Sequence, residues 1–516
     1  MKPVERFLLV CALALCLTVA ASAADFDGYL VEIDTPACLL DASAPALPEM
    51  SEVYAPLGLY QADDAATVER LRECGVLLHA EPNYIVTLDD TPGMEAFSNL
   101  SGKARLWGAS ESAEQAWYEP ELGMDIVRQK GVTREGVRVG IVDSGIFKEH
   151  QAFVGVKVLD GANYCVSEDD EARHDVSDGV GHGTFVSGLI AAAGNGIGVA
   201  GLAPGVELVP LKCFESKSGS IANIAKAIYD GVDTWKCQVL NLSLGIEKDS
   251  ATLRNAIAYA GEKGVLMVAA AGNLLSGQHN PDGDPLNYPA AYPQVIGVGA
   301  VGKTLSVAAF SYRNESVEIV APGQSMRAPS SSDEKSYVSG YGTSYASPIV
   351  AAAAALTLSI RPDLTSAEFR ELLTGTARDL GDEGYDTSYG HGLLMIASLC
   401  AAAVPEMFPE PETPPEPQSV RERVIAERQR LAAREGGAPA IFAVAYNEKG
   451  QPLRLFDISP ASQSQQDGEP DNMPILSEAD ISEEMFQVEN AALWKLISFD
   501  RLTFVPFGVP VILPVS

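Results

Sequence analysis

The sequence is short of basic residues. Its 36 lysines and arginines are outnumbered by 69 aspartates and glutamates, which gives a formal net charge of −33 at pH 7. A surface this acidic repels phosphate backbones and anionic lipid headgroups, so binding to nucleic acid is disfavoured. The charge favours solubility and carries no information about the fold.

The sequence also lacks the cysteine spacing of a metal site. Its eight cysteines include no Cys-x-x-Cys pair, which argues against a zinc site. Export would permit disulfides among the cysteines that follow the N-terminal segment. Their spacing specifies no disulfide framework, and buried free thiols explain them equally well. We therefore predict no metal ligands among the cysteines and leave their pairing open.

Long apolar runs are missing beyond the N-terminus, so no later segment is expected to cross a membrane. Lys2 and Arg6 precede the apolar run Phe7–Ala20, which is too short to span a bilayer comfortably. Ala21–Ala23 then supplies the small residues that a signal peptidase needs. We interpret residues 1–24 as a signal peptide, with an uncleaved membrane anchor as the alternative. The signal predicts a secreted protein, either free or associated with the cell envelope.

Residues 25–112 combine a small α/β unit with a polar stretch of little predicted structure. Asp64 is suited to cap a short helix that ends at Gly75. The segment Glu81-Pro82-Asn83 separates the last two of three strand-like runs. These runs are Gly28–Ile33, Val76–Leu78 and Tyr84–Leu88. The polar stretch extends from Asp89 to about Ser112.

Residues 113–403 alternate between strand-like and helix-like segments. This alternation predicts an α/β fold in which a mainly parallel sheet carries helices on both faces. The predicted strands are Val137–Val142, Glu207–Cys213, Gln238–Ser243, Val265–Ala270 and Val295–Val301. The predicted helices between strands include Ile221–Val232 and Ala251–Lys263. In such sheets the active site lies beyond the carboxyl ends of the strands.

The last part of the chain is a linker followed by a small domain. Residues 404–419 are rich in proline and glutamate, and proline at this density excludes helix and keeps the chain extended. In residues 420–516 we expect a short charged helix over Arg421–Arg434, a hairpin over Ile441–Ile458 and strands within Ala491–Leu513. This small β-rich C-terminal domain has no visible chemistry, and its role is unassigned.

Three motifs in the central block carry residues suited to nucleophilic catalysis. Asp143-Ser144-Gly145 follows a predicted strand, Gly181–Thr184 precedes a predicted helix, and Gly342–Pro348 opens an alanine-rich helix. A serine hydroxyl needs a base that takes its proton, and histidine has a suitable pKa near neutrality. A buried carboxylate orients that histidine and stabilises its positive charge. Asn273, which follows a buried strand, and the Ser344 backbone N–H are candidate donors to an oxyanion.

The order Asp, His, Ser and the sequence around each residue resemble the subtilisin family of serine peptidases (subtilases). The similar segments extend through the central block and are Asp143–Gly145, His182–Gly188, Val239–Gly245, Ala270–Asn273, Val320–Gly323 and Gly342–Pro348. One such motif is moderate support, but all of them in order are strong support. The resemblance implies a three-layer subtilisin-like fold and a serine endopeptidase that acts through an acyl-enzyme.

The resemblance implies a role for each matching residue. Ser344 would be the nucleophile, and His182 would act first as general base and then as general acid. Asp143 would orient His182, and Asn273 would donate to the oxyanion. This chemistry requires no cofactor. At two positions the sequence departs from the family motifs, since Tyr345 replaces a common methionine and Phe185 a frequent histidine.

The resemblance also implies how protein and peptide substrates and a propeptide would bind. The backbone of Gly219-Ser220-Ile221 and of Ser243-Leu244-Gly245 would flank an extended peptide and pair with it as added strands. Residues 25 to about 90 resemble the propeptide of the family, most closely at Glu81–Val86. Such a propeptide assists folding and inhibits its own enzyme until removal, so the chain would be a zymogen. Autocleavage would fall between about Asp90 and Trp117.

A structural calcium ion is the one metal that the resemblance raises. Asn195–Val199 resembles a calcium-binding loop, with ligands from the Asn195 side chain and the carbonyls of Ala193, Ile197 and Val199. The family's additional aspartate ligand aligns with Ala152 here, and losing a carboxylate weakens a site of hard oxygen ligands. Calcium binding therefore stays open. We interpret the acidic loop Glu168–Asp178, a separate candidate, as a solvated surface.

The main alternative to an enzyme is a catalytically degenerate subtilase fold that acts as a binding or adhesion protein. All three residue types of the triad are present, and so is Asn273 for the oxyanion. These residues favour the enzyme.

Overall fold

The computed structural model of the protein describes residues 26–34, 48–88, 116–132, 136–168, 170–194, 198–274, 279–281 and 283–408, and the backbone of four strands after residue 439. The chain divides into two compact units, Met1–Phe408 and Pro409–Ser516. The predicted signal peptide and the predicted helix Arg421–Arg434 lie outside the described residues.

The N-terminal part of the first unit is an antiparallel sheet with one helix against it. Its strands are β1 (Phe26–Ile33), β2 (Ser51–Tyr54), β3 (Leu59–Ala62) and β4 (Leu77–Thr87), in the order β2-β3-β1-β4. Helix α1 (Ala65–Glu73) begins as predicted, because the Asp64 carboxylate accepts a 2.8 Å hydrogen bond from the Thr67 backbone N–H. Apolar residues of α1 and β1 form the core of this part.

The prediction of two separate strands around Glu81-Pro82-Asn83 was wrong. Strand β4 is continuous through Pro82. A second neighbour, β9 (Ser218–Ser220), pairs with β4 only from Ile85 to Thr87. Of the described strands, only β1 pairs with β4 at Pro82, so one edge of β4 is open there and the missing proline N–H costs little.

A parallel sheet forms the centre of the first unit, as predicted. Its main strands are β5 (Arg138–Asp143), β8 (Glu207–Lys212), β10 (Val239–Leu242), β11 (Leu266–Ala270), β12 (Val295–Val301) and β13 (Ile319–Pro322). Two short strands, β6 (Lys157–Val158) and β7 (Ala162–Asn163), pair with β8. The order is β13-β12-β11-β10-β5-β8-β6, and all of these pairs are parallel.

Helices cover both faces of this sheet and form a three-layer α/β fold. They are α2 (Glu119–Leu122), α3 (Met124–Gln129), α4 (His182–Ala191), α5 (Ile221–Asp233), α6 (Ala251–Glu262), α7 (Thr343–Ile360), α8 (Ser366–Gly375) and α9 (Ile396–Ala403). Val239 of β10 joins the core beneath α4 and α7, whereas Leu240 and Leu242 join the core beneath α5 and α6. Successive strand residues point to opposite faces, so a fully apolar strand fills both cores.

Helix α7 corrects one sequence expectation. No later segment was expected to have the length and hydropathy of a membrane span, yet α7 has both. Most of α7 is buried inside the protein, so it is the central helix of the core. It also carries Pro348 within its first turns. An antiparallel ribbon of β14 (Met326–Pro329) and β15 (Tyr337–Gly340) precedes it.

The described cysteines are free thiols. Cys213, Cys237 and Cys400 are buried, and Cys74 and Cys165 are partly buried. Among these five, the buried-thiol interpretation is therefore confirmed for three.

The second unit contains an antiparallel sheet. Its strands are β16 (Ala440–Tyr446), β17 (Pro452–Asp457), β18 (Leu493–Phe499) and β19 (Val511–Pro514), in the order β17-β16-β18-β19. The predicted hairpin over Ile441–Ile458 is confirmed by the antiparallel pairing of β16 with β17.

Candidate active site

Asp143 is the last residue of β5 and is fully buried. Its position at the carboxyl end of a central strand places the carboxylate at the sheet edge where α/β folds bind ligands. The Ser144 backbone N–H donates a 2.7 Å hydrogen bond to Asp143 Oδ1. The carboxylate is therefore held by the backbone that follows it.

His182 is the first residue of α4 and lies against Asp143. Its Nδ1 is 2.9 Å from each oxygen of the Asp143 carboxylate. A carboxylate accepts hydrogen bonds, so Nδ1 carries the proton and Nε2 keeps its lone pair. This is the arrangement that a general base needs.

The two departures from the family motifs contact each other beside His182. The rings of Phe185 and Tyr345 stack with centroids 4.1 Å apart. The Tyr345 ring also lies 5.7 Å from the His182 ring. The two unusual residues thus form one packed wall, which explains how they occur together.

Ser344 lies in the first turn of α7 and contacts the carboxyl end of β10. Its Oγ donates to the Ser243 carbonyl at 3.3 Å, and Ser243 Oγ donates to the Ser344 carbonyl at 2.7 Å. Asn241 Nδ2 donates to Ser243 Oγ, and Ser347 Oγ donates to Asn241 Oδ1. This buried network fixes the start of α7 against the strand next to β5.

Asn273 follows β11 and has a defined amide orientation. Its Oδ1 accepts hydrogen bonds from the Thr343 backbone N–H at 2.9 Å and from the Thr343 hydroxyl at 3.1 Å. A backbone N–H can only donate, so the accepting atom is the amide oxygen. The Asn273 amide nitrogen is consequently the donor atom of this side chain, and its predicted role calls for a donor.

The fold brings the predicted residues to one edge of the sheet. Strand β10 pairs with β5 on one side and with β11 on the other. Asp143, Ser243 and Asn273 therefore end or follow three adjacent strands. His182 and Ser344 come to the same edge from the first turns of α4 and α7.

The first predicted substrate segment is occupied by the N-terminal part of the same chain. Ile85, Val86 and Thr87 of β4 pair antiparallel with Ser220, Gly219 and Ser218 of β9. At Gly219 an added Cβ would lie 2.5 Å from the Cys213 carbonyl oxygen, so only glycine fits. The backbone here accepts an added strand.

The second predicted segment is shaped by a neighbouring amide. A Cβ added at Gly245 would lie 1.9 Å from Asn287 Nδ2, so a larger residue there would displace the Asn287 amide. Asn287 Nδ2 donates to the Ala270 carbonyl at 3.1 Å. Ser243-Leu244-Gly245 therefore lies close to the segment that leads to Asn273.

Side chains of the N-terminal part reach the ends of two helices. The Glu81 carboxylate accepts hydrogen bonds from Ser250 Oγ and from the backbone N–H groups of Ala251 and Thr252, at 2.7–2.9 Å. Burial would raise the pKa of Glu81, but these bonds and a contact with His79 lower it to about 2. The contact also raises the pKa of His79. Glu81 thus caps α6 as an anion.

Two further contacts join the same surfaces. Asn83 Oδ1 accepts a 3.0 Å hydrogen bond from the Ala222 backbone N–H at the start of α5. The ring of Tyr54 stacks on Tyr229 at a centroid distance of 4.3 Å, and its hydroxyl donates to Asp233.

The interpretation of Glu168–Asp178 as a solvated loop was wrong at its end. Asp178 is 5% exposed and accepts hydrogen bonds from Ser144, Thr184 and nearby backbone. Glu168 pairs with Lys226, and Arg173 pairs with Asp230. The one sequence signal for a role of Asp178 was its position four residues before His182. Local sequence does not reveal that the side chain is buried.

The predicted calcium loop cannot be built from the described residues alone, because Asn195–Ile197 lie outside them. Ala152 offers a methyl group where the family has a carboxylate. Within the described part of the chain, no three histidine, cysteine or acidic side chains form a group that could hold a metal ion. Calcium at this loop stays a prediction.

Comparison with known proteins agrees with this geometry. Residues 134–392 match the model of the subtilase family of peptidases. Subtilisin DY of Bacillus licheniformis is 40% identical over 282 residues, which cover 54% of this chain and 95% of the relative. Subtilisin Savinase of Lederbergia lenta is 37% identical over 279 residues, 54% of this chain and 96% of the relative.

A third relative extends over more of the chain. The minor extracellular protease Epr of Bacillus subtilis is 32% identical over 332 residues, 64% of this chain but 48% of the relative. The chain therefore spans about half the length of Epr and nearly all of the two subtilisins. With its Asp143–His182 pair in place, the chain belongs to the subtilase family and is a subtilisin-like serine endopeptidase rather than a degenerate binding protein.

Proposed function

We propose that the chain hydrolyses peptide bonds through an acyl-enzyme on Ser344. The main support is the 2.9 Å pairing of Asp143 with His182 Nδ1 at the sheet edge where Ser344 also lies. As Ser344 Oγ bonds to the carbonyl carbon, its proton moves to His182 Nε2, and Asp143 stabilises the imidazolium. His182 then protonates the leaving amine as the C–N bond breaks. Water repeats the sequence and releases the acyl group.

We assign stabilisation of the tetrahedral oxyanion to Asn273 and the Ser344 backbone N–H. The amide orientation imposed by Thr343 supports this role, because it uses the amide oxygen as acceptor and makes the nitrogen the donating atom of the Asn273 side chain. The backbone N–H of Ser344, in the first turn of α7, is free of an intrahelical partner by position. Donors that are already oriented cost no reorganisation during the reaction.

The substrate class is extended polypeptide. The proposed binding strands are Gly219-Ser220-Ile221 and Ser243-Leu244-Gly245. The pairing of β4 with β9 supports this, since it is an example of an extended chain on that edge. Recognition through main-chain bonds gives affinity with modest sequence selectivity.

The N-terminal part is proposed to be an intramolecular inhibitor that is removed by autocleavage. Its β4 covers one proposed substrate strand, and Leu88 N–H donates to the Lys217 carbonyl at 2.7 Å just before the chain leaves the described residues. Cleavage between about Asp90 and Trp117 would separate this part from the peptidase.

Secretion is also proposed. The signal-like residues 1–24 support it, and so does the similarity to Epr, which is named an extracellular protease. Domain boundaries at residues 24, 112, 403 and 419 remain proposals from the sequence.

The test of the nucleophile is Ser344→Ala in the full-length chain. We expect the purified variant to keep its N-terminal part and to lose activity on peptides by orders of magnitude. The matched control is Ser347→Ala, which removes a buried hydroxyl three residues further on in the same helix. Normal processing of Ser344→Ala would show that another residue is the nucleophile.

A further inference from the structure

The buried carboxylate of Asp178 has no role in the chemistry described so far, although it lies next to the catalytic pair. Oδ1 accepts hydrogen bonds from Ser144 Oγ at 2.9 Å, Val180 N–H at 3.0 Å and Gly181 N–H at 2.7 Å. Oδ2 accepts from the N–H and the hydroxyl of Thr184, at 2.8 and 2.6 Å. Five donors thus converge on one carboxylate.

These contacts fix the charge of Asp178. Every backbone partner is an N–H that can only donate, so the bonding pattern is that of an ionised carboxylate. Burial raises the pKa of Asp178 above its ordinary value, although bonds from Thr184 and Gly181 oppose that effect. A second buried negative charge therefore lies close to Asp143.

Ser144 links the two carboxylates through a single proton. Its Oγ is 2.9 Å from Asp178 Oδ1 and 3.2 Å from Asp143 Oδ1, and it accepts a 3.0 Å bond from the Gly183 N–H. A hydroxyl has one proton to donate, and the shorter contact is to Asp178. While the proton is there, Asp143 Oδ1 keeps only the Ser144 N–H and His182 as donors.

We propose that Asp178 is a positioning residue for the Asp143–His182 pair and acts through the Ser144 hydroxyl. It draws that hydroxyl away from Asp143, so that the Asp143 carboxylate interacts mainly with His182. A carboxylate with fewer donors is a stronger partner for an imidazolium. The proposal rests on the catalytic roles proposed for Asp143 and His182.

Other titratable groups around the pair come from two further elements. Lys212 is opposite Asp143 in the register of β8, and its ammonium donates to the Ser177 carbonyl at 2.9 Å. Cys213 follows Lys212, and its burial raises the pKa of the thiol. Tyr345 of α7 faces the His182 ring. Variants at Asp178 leave these groups in place, so a shift in pH profile is attributable to the change at Asp178 itself.

The test compares Asp178→Asn with Asp284→Asn in the full-length, self-processed protein. Asp284 is a matched control, because it is buried and accepts from the Asn280 and Arg313 N–H groups, away from Asp143. Rates are normalised by active-site titration with an organophosphonate, which counts only folded sites. We expect kcat of Asp178→Asn to fall about 10- to 100-fold with KM within about twofold.

Two further measurements distinguish a positioning role of Asp178 from general support of the fold. They are the pH profile and the effect of Asp178→Asn in a Ser144→Ala variant. Loss of negative charge near His182 lowers the pKa of its imidazole, so the acid limb of kcat/KM shifts to lower pH in Asp178→Asn. In a Ser144→Ala background, Asp178→Asn should change kcat less than about threefold, because no hydroxyl is left to turn toward Asp143. An equal loss in both backgrounds, or an unchanged kcat and acid limb, would overturn the proposal.

If Asp178→Asn does not mature, the single variants at Ser144 decide. Ser144→Thr keeps the hydroxyl, and Ser144→Ala has no hydroxyl that could turn toward Asp143, so both should keep the parent acid limb and a kcat within about threefold of the parent. A loss of about tenfold or more in Ser144→Ala would contradict the proposal, because the hydroxyl would then support the Asp143–His182 pair directly. His182→Ala tests the proposed function separately: if it is inactive while the Asp178 variants are normal, only the positioning role fails.

Discussion

The Asp143–His182 pair and the docked N-terminal part are held by contacts of different kinds. Asp143 and His182 are both buried, Asp143 at the end of β5 and His182 at the start of α4. They are hydrogen-bonded to each other, and Asp143 also accepts a bond from the adjacent Ser144 N–H. The N-terminal part is joined through three residues of β9 and through side chains that reach the ends of neighbouring helices. One of these contacts includes His79, whose side chain is 43% exposed.

This difference in contacts suits the different roles proposed for the Asp143–His182 pair and for the N-terminal part. A base must keep its geometry through every turnover, and burial with several hydrogen bonds to each group gives that rigidity. The proposed role of the N-terminal part as an inhibitor requires that it leave after cleavage, and a short strand pair with titratable side chains is easier to open. Disrupting each region in turn should therefore give effects of very different size.

The largest expected effect is at the catalytic pair. Asp143→Asn presents an amide N–H or oxygen to His182 and no longer selects the tautomer with a proton on Nδ1. We expect kcat to fall about 10⁴-fold, as for other triads. Peptide hydrolysis after active-site titration measures it, with Asp284→Asn as the control for loss of a buried carboxylate. A loss below tenfold would mean that Asp143 does not orient the base.

A smaller loss is expected at the oxyanion donor. Asn273→Ala removes the amide that Thr343 orients, and kcat should fall about 10²- to 10³-fold with little change in KM, which is the loss known for a donor of this kind in the related enzyme subtilisin. The measurement is steady-state hydrolysis of one peptide substrate. Asn287→Ala, which removes another buried amide at the same sheet edge, tests whether KM rather than kcat responds there. An unchanged kcat in Asn273→Ala would remove it from the oxyanion hole.

The smallest expected effect is at the docked surface and depends on pH. Glu81→Gln in the uncleaved Ser344→Ala precursor replaces charged hydrogen bonds to α6 by neutral ones. Hydrogen exchange of residues 218–220 should become about 10- to 100-fold faster at pH 7. Asn83→Asp provides the comparison at α5, where an added charge near a helix start should not speed exchange.

The sign of the pH effect follows from the pKa of Glu81. The pKa of about 2 in the docked state lies below the ordinary value of 4.5, so Glu81 stabilises docking above about pH 4.5. That contribution is lost as the pH falls toward 2, and the two precursors should then exchange alike. The raised pKa of His79 acts in the opposite direction, since its contribution is present below pH 6.5 and disappears as the pH rises through the raised value. A constant difference between the precursors from pH 7 to pH 2.5 would contradict the role of Glu81.

The sequence predicted those parts of the fold that depend on neighbouring residues. The strand Val295–Val301 was predicted to the residue, because a run of apolar and small residues buried on both faces has clear ends. The motifs of the proposed triad were recognisable because they are short segments at strand and helix ends, which an α/β fold places at one sheet edge.

The parts that were missed depend on contacts between distant segments. Strand β4 continues through Pro82 because, among the described strands, none pairs with one of its edges there. Nothing near Pro82 in the sequence indicates that open edge. Asp178 looks like one more acid in an acidic loop, and only its packing against Ser144 and Thr184 buries it. The length and hydropathy of α7, which are those of a membrane span, were likewise missed, and its burial in the fold is what makes it a core helix.

The most direct measurement is covalent labelling of the self-processed protein with an organophosphonate, followed by peptide mapping of the modified residue. An acid, an imidazole and a hydroxyl that meet at one sheet edge predict a single adduct on Ser344, formed at a rate that falls as His182 becomes protonated. Heat-denatured protein and His182→Ala should remain unlabelled. Rapid labelling of a different residue, or no labelling of the native enzyme, would contradict the proposed triad.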